Sequence, residues 1–182
     1  MRQKRVQLAA AVAVVAIASV VATTAFAGGG KEIREELEGF QEVPAVSTAA
    51  EGKFKARISG DEIRYELRYE DLEAAVTQAH IHFGQRDVNG GITVWLCETD
   101  AVQSPDPTTQ TCPPSPAKIS GTITAANVVS STGATAQGIA MGEFEELLDA
   151  IRGGVTYANV HSMKFPGGEV RGQLNEDRDD DD

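Results

Sequence analysis

Clusters of lysine and arginine are missing from this chain, which carries 16 basic residues against 27 acidic ones and a formal net charge of -11. Phosphate neutralisation on a nucleic acid needs such clusters, so the acidic balance argues against nucleic acid as a partner. Cysteine is nearly absent as well: Cys97 and Cys112 are the only two. Neither follows the apolar N-terminal run, so a lipoprotein anchor is not indicated. No serine, cysteine or carboxylate pair is placed with a histidine as a nucleophilic triad or a glycosidase requires. Histidine itself is scarce. All three copies fall in two short motifs, Ala79-His80-Ile81-His82-Phe83-Gly84 and Asn159-Val160-His161, and nothing else in the chain offers a comparable set of metal ligands.

What is present at the N-terminus is a targeting pattern. Arg2, Lys4 and Arg5 form a basic segment, Val6 to Ala22 an apolar run, and Ala25-Phe26-Ala27 a small-x-small cleavage signal. Residues 1–27 are therefore predicted to be a secretory signal peptide cut after Ala27, the alternative being an uncleaved anchor. Cleavage removes three basic and no acidic residues, so the exported chain is more acidic still and keeps no stable membrane anchor. Residues 28–31 read as a flexible lead-in and 175–182 as a disordered acidic tail with nothing apolar to bury. In an exported chain the cysteine pair reads as a disulfide closing the Pro/Thr/Ser-rich segment Glu98 to Thr111, with two thiolate ligands as the alternative.

The span 32–174 is the size of one domain and reads mostly as β. From Ile63 to Glu70 apolar and charged residues alternate without a fault, the pattern of a strand with one buried and one wet face. Gly52 to Ser59 precedes it with Phe54, Ala56 and Ile58 on one face, and Gly60-Asp61 forms the hairpin turn. Asn89-Gly90-Gly91 marks another turn before Ile92 to Cys97, a run apolar on both faces and so expected centrally in a sheet. Further strands are predicted at Lys118 to Thr124, Val155 to Met163 and Glu169 to Leu174, with Gly167-Gly168 as a tight turn. Phe144, Leu147, Leu148 and Ile151 form one helical stripe, stopped by Gly153-Gly154. Short strands with turns between them predict an antiparallel sandwich or barrel carrying one short helix. Tyr65, Tyr69 and Trp95 are expected in its core.

Residues two apart on a strand share a face, so His80 and His82 are expected side by side. With His161 they would make a three-imidazole site for one transition metal. The Irving-Williams order favours copper at unbiased nitrogen ligands, with zinc as the rival, and a hydrogen-bonded polar cluster is the metal-free alternative.

Gly39-Phe40-Gln41-Glu42-Val43-Pro44, the His80 motif, Asn89-Gly90-Gly91, Leu96-Cys97, Tyr157-Ala158-Asn159-Val160-His161 and Phe165-Pro166-Gly167-Gly168-Glu169-Val170-Arg171-Gly172-Gln173-Leu174 stand in the order found in CHRD domains, the module named after chordin. The chain resembles that family from about Glu32 to Leu174. The resemblance implies a secreted, β-rich single domain whose biochemical role is poorly defined, and no residue here points to a growth-factor partner. His80-Ile81-His82-Phe83-Gly84 is also similar to the copper-binding strand of Cu,Zn superoxide dismutases. Those are Greek-key sandwiches with a disulfide and an arginine beside the copper, a place Arg171 could fill. Three histidines are too few for their two-metal centre.

Met163, Glu42 and Glu169 are the candidate further ligands or supporting residues, and Asn159 is a candidate for orienting a histidine. Three functions compete: an exported copper binder for storage or delivery, a mononuclear superoxide-dismutase-like oxidoreductase, and a metal-free structural module. The location expected is the periplasm or the extracellular space.

Overall fold

The computed structural model describes residues 31–129 and 137–175. The predicted signal peptide, all of the lead-in but Lys31 and all of the acidic tail but Asn175 lie outside the described residues. Among the described residues there are eight strands, β1 (Lys31–Glu38), β2 (Glu51–Ser59), β3 (Glu62–Glu70), β4 (Val76–Phe83), β5 (Gly91–Cys97), β6 (Ala117–Ile123), β7 (Thr156–Ser162) and β8 (Val170–Leu174), and one α-helix, α1 (Phe144–Arg152). The strands form a single antiparallel sheet in the order β5-β4-β7-β8-β1-β2-β3-β6, nearly closed into a barrel. Crossovers from β3 to β4 and from β6 to β7 give it Greek-key rather than simple up-and-down connectivity. Among the described residues no helix is long and apolar enough to cross a membrane.

The alternation in β3 has the expected result: Ile63, Leu67 and Tyr69 are buried while Arg64 and Arg68 point to water. Gly60, at φ 60°, permits the two-residue turn to β2. The stripe of α1, with Phe144, Leu147, Leu148 and Ile151, joins the same core as Phe54, Leu67, Leu96 and Val160. On the β1-β2-β3-β6 half the outer sheet face is wet and carries cross-strand ion pairs, Arg57 with Glu32 and Lys118 with Glu66 among them.

One expectation is corrected. The run from Ile92 to Cys97 is not central but lies at one end of the strand order, with β6 at the other. Its two apolar faces reflect what covers them rather than where it pairs. Val94 and Leu96 enter the core, and Trp95 lies on the opposite face with its ring 4.3 Å from that of His80.

The seam between β5 and β6 is bridged mostly by side chains. Tyr65 donates to the Leu96 carbonyl at 3.1 Å, and Gln110 donates to the Tyr65 hydroxyl and the Ser120 carbonyl. A Cβ at Gly121 would stand 2.8 Å from the Tyr65 ring, so only glycine leaves room for that reach. The Cys97–Cys112 disulfide ties the end of β5 to the loop that leads to β6, with Cα atoms 5.0 Å apart, and Cys112 N–H donates to the Glu98 carbonyl beside it. A cross-link over this span contributes about 3 kcal/mol in the chain-entropy model.

Candidate metal centre

β4 and β7 lie side by side with His80 opposite Asn159, His82 opposite Tyr157 and His161 opposite Gln78; one strand further on, Asn159 faces Arg171 and Tyr157 faces Gln173. The intervening residues Ala79, Ile81, Ala158, Val160 and Val170 fill the core. Alternation therefore sends the histidines to the outer face of the sheet, where an antiparallel sheet is commonly wet. Here that face is covered, and His80, His82, Tyr157, Asn159, His161, Arg171 and Gln173 are all buried. The result is a second, polar layer outside the hydrophobic core.

Three loops roof it. Asn89 donates to the Val43 carbonyl, tying the 85–90 turn to the segment that carries Glu42. Gly168, at φ 127°, brings its backbone against the Glu42 carboxyl, where a Cβ would lie 2.2 Å from Oε1. Pro166 lies beside His161, accepting at its carbonyl from that ring.

The protonation of the rings follows from their partners. A carbonyl only accepts, so His82 Nδ1 carries a proton for Gly90 O at 3.0 Å, and His161 Nδ1 carries one for Pro166 O at 2.9 Å. His161 Nε2 is then a lone pair, and His80 Nδ1, 3.2 Å from it, is the donor between them. His80 Nε2 and His82 Nε2 remain as buried lone pairs with no hydrogen-bond partner. Burial holds the ionisation of all three rings down, with neighbouring imidazoles adding to the effect on His80 and His82; His82 is lowered to about 4. All three are neutral at pH 7, the form a metal requires.

The ligand nitrogens lie within 4.8 Å of one another, and no other His, Cys, Asp or Glu joins the group among the described residues. Two imidazoles on one ion bonded at about 2.1 Å are at most about 4.2 Å apart, so a pair at the outer limit closes by about 0.6 Å. His80 can present Nε2 as it stands, or Nδ1 once its proton moves to Nε2. The residues fit one ion with three nitrogen ligands.

The other candidates divide. Asn159 lies among the rings, its Nδ2 3.5 Å from Glu42 Oε1 and its Oδ1 without a hydrogen-bond partner. Glu42 is buried, and desolvation outweighs the nearby Arg171 charge and the Asn159 amide, raising its pKa to about 7. Arg171 stacks 3.4 Å over Tyr157, whose other face stacks on His82, and donates to the carbonyls of Gln85 and Val88. Its guanidinium is committed to holding the 85–90 turn. Glu169 points away from the rings, accepting from Thr48 Oγ1 and the Glu73 N–H. Met163 lies beyond the end of β7 and is 72% exposed.

Sequence reasoning missed Tyr157 and Gln173. Their signal was the i, i+2, i+4 spacing of Tyr157 with Asn159 and His161, and of Gln173 with Arg171 on the paired strand. It also missed the backbone carbonyls of Gly90 and Pro166, which carry no side-chain signal.

These shifts give the metal-free protein a pH dependence. Unfolded histidines take up protons near pH 6.5 and the folded ones do not, so stability present above 6.5 is lost as pH falls towards 4, on the order of 3 kcal/mol from His82 alone. Glu42 works in the opposite direction: its raised pKa contributes stability below about 4.5 that is lost as pH rises through about 7. In chelator, urea midpoints should fall between pH 6.5 and 4, and Glu42→Gln should steepen that fall by removing the opposing group. A flat profile in both proteins would contradict the assignment.

No curated protein and no solved structure matches the chain. Residues 33–174 match the family model of the CHRD domain. That span runs from within β1 to the last residue of β8 and contains all three histidines and both cysteines, so the chain belongs to the CHRD domain family.

Proposed function

We propose that this CHRD domain is an exported protein that binds a single transition-metal ion, copper in the first instance, for storage or delivery. The observation that carries the reading is the arrangement of lone pairs. His82 and His161 have their Nδ1 protons held by backbone carbonyls, which leaves each Nε2 as a lone pair; that of His161 accepts from His80 Nδ1, and the Nε2 atoms of His80 and His82 are buried without partners. A buried acceptor without a donor costs about 1–3 kcal/mol, a penalty that ligation removes. Copper there would supply a one-electron couple, whereas zinc would supply a Lewis acid.

Export is supported by the leader-like residues 1–27 and by the disulfide, which belongs to oxidising compartments. Three protein ligands leave a coordination position open, which keeps a mononuclear oxidoreductase as the second reading.

Elemental analysis of the protein lacking residues 1–27, dialysed against copper and zinc, tests both. One ion per chain is expected, lost in His80→Ala and His161→Ala. Bound metal without superoxide turnover leaves storage or delivery. An absence of bound metal would reduce the cluster to a polar scaffold and the chain to a structural module.

A further inference from the structure

β5 supports the histidine layer at several points although it pairs with a neighbouring strand, β4, along only one edge. Gly90, immediately before it, accepts from His82 Nδ1 and donates to the Tyr157 hydroxyl at 3.3 Å. Trp95 packs at 85° against His80. Cys97, at its end, is paired with Ala79, the residue before His80, and the register shifts between these two pairs. The free edge of β5 is secured by the disulfide to Cys112, by the Glu98 hydrogen bonds to Gln110 and Cys112, and by Tyr65. The disulfide is thus attached to the strand that packs Trp95 on His80 and follows directly on Gly90, the partner of His82.

We propose that the Cys97–Cys112 disulfide sets the metal affinity of the histidine site, so that the oxidised protein holds its ion and two-electron reduction by a dithiol releases it. The proposal rests on the metal-binding reading above. In the exchange a thiolate of the dithiol attacks one sulfur, the Cys97–Cys112 bond breaks, and the second thiol resolves the mixed disulfide. The dithiol leaves as a disulfide, having given two electrons, and both cysteines end as thiols. β5 then keeps its β4 pairing and its hydrogen bonds to Tyr65 and Val129 but loses the covalent fastening at Cys97, the residue paired with Ala79 next to His80, so that Trp95 and the end of β4 are held less firmly around His80. Linkage makes the effect reciprocal: a bound ion protects the disulfide by the same factor by which the disulfide raises affinity.

Zinc is the probe, because it does not oxidise thiols. Its affinity, measured by competition with a chromophoric chelator, should be at least tenfold weaker in Cys97→Ala/Cys112→Ala than in the disulfide-bonded protein. At equilibrium with a glutathione redox buffer, the native protein should hold its disulfide at least tenfold more strongly with zinc bound. Zinc should have no such effect in His80→Gln/His161→Gln. The second measurement decides the matter if circular dichroism shows the cysteine variant unfolded. Equal zinc affinities in folded proteins, or an equal redox equilibrium with and without zinc, overturn the proposal while leaving metal binding intact. A native protein that binds no zinc and no copper overturns the metal-binding reading, and the proposal with it.

Discussion

Gly90→Ala should destabilise the protein by about 4 kcal/mol or more, the range reserved for severe steric or network damage. A Cβ at this position would stand 1.6 Å from the Phe83 carbonyl oxygen and 2.4 Å from its carbon. Both are backbone atoms at the end of β4, so no side-chain rotation relieves the overlap, and the β4–β5 turn must open. Opening it withdraws the Gly90 carbonyl from His82 Nδ1 and the Gly90 N–H from Tyr157. The variant should therefore lose metal binding even where it stays folded. Urea titration and metal content measured on the same preparation check both effects, and a loss below about 1 kcal/mol would mean that the turn accommodates a methyl group and that the account is wrong.

Arg171→Ala is the second large effect, at about 3–5 kcal/mol, the cost of breaking a buried charged network. Arg171 is 1% exposed and donates to the carbonyls of Gln85 and Val88 and to the side chains of Asn89 and Gln173. Truncation leaves those acceptors unpartnered, uncovers a face of Tyr157 and removes the cation that offsets part of the rise in the Glu42 pKa. Lysine keeps the charge but lacks the planar fork that stacks and branches at once, so Arg171→Lys should recover less than half of the loss. Thermal or urea unfolding measures the cost, and faster proteolysis within residues 85–90 should accompany it. Full rescue by lysine would show that charge alone is what the site uses.

Much of this was legible from the chain, and the reasons are local. The unbroken alternation of β3, the helical stripe from Phe144 to Ile151 and the Gly60-Asp61 turn each report the fold through their own period or their own φ requirement. The histidine pair was legible for the same reason, since i and i+2 share a strand face. β1 was not: in Lys31–Glu38 only Ile33 and Leu37 are buried, and the charged residues between them hide the strand period. Met163 was expected to continue the face of His161, but β7 stops at Ser162 and the chain turns outward.

The largest gap concerns the roof over the outer face. Arg171 and Gln173 look like residues of a wet face, and they are buried because turns from residues 39–48, 85–90 and 163–168 meet above them. A sequence separation of 117 residues, as between Asn159 and Glu42, leaves no periodic trace.

The side-chain bridging of the β5–β6 seam also bears on how copies of this chain behave towards one another. A barrel left slightly open has two strand edges whose free N–H and C=O groups can template pairing with another molecule. Here the Thr93 carbonyl accepts from Val129 N–H, Leu96 from Tyr65 and Ser120 from Gln110, while the Cys97–Cys112 disulfide holds the loop that carries Gln110 against the end of β5. With those carbonyls already taken, the opening is a poor site for edge-to-edge growth. Tyr65 and Gln110 thus guard the protein against aggregation as well as completing its wall.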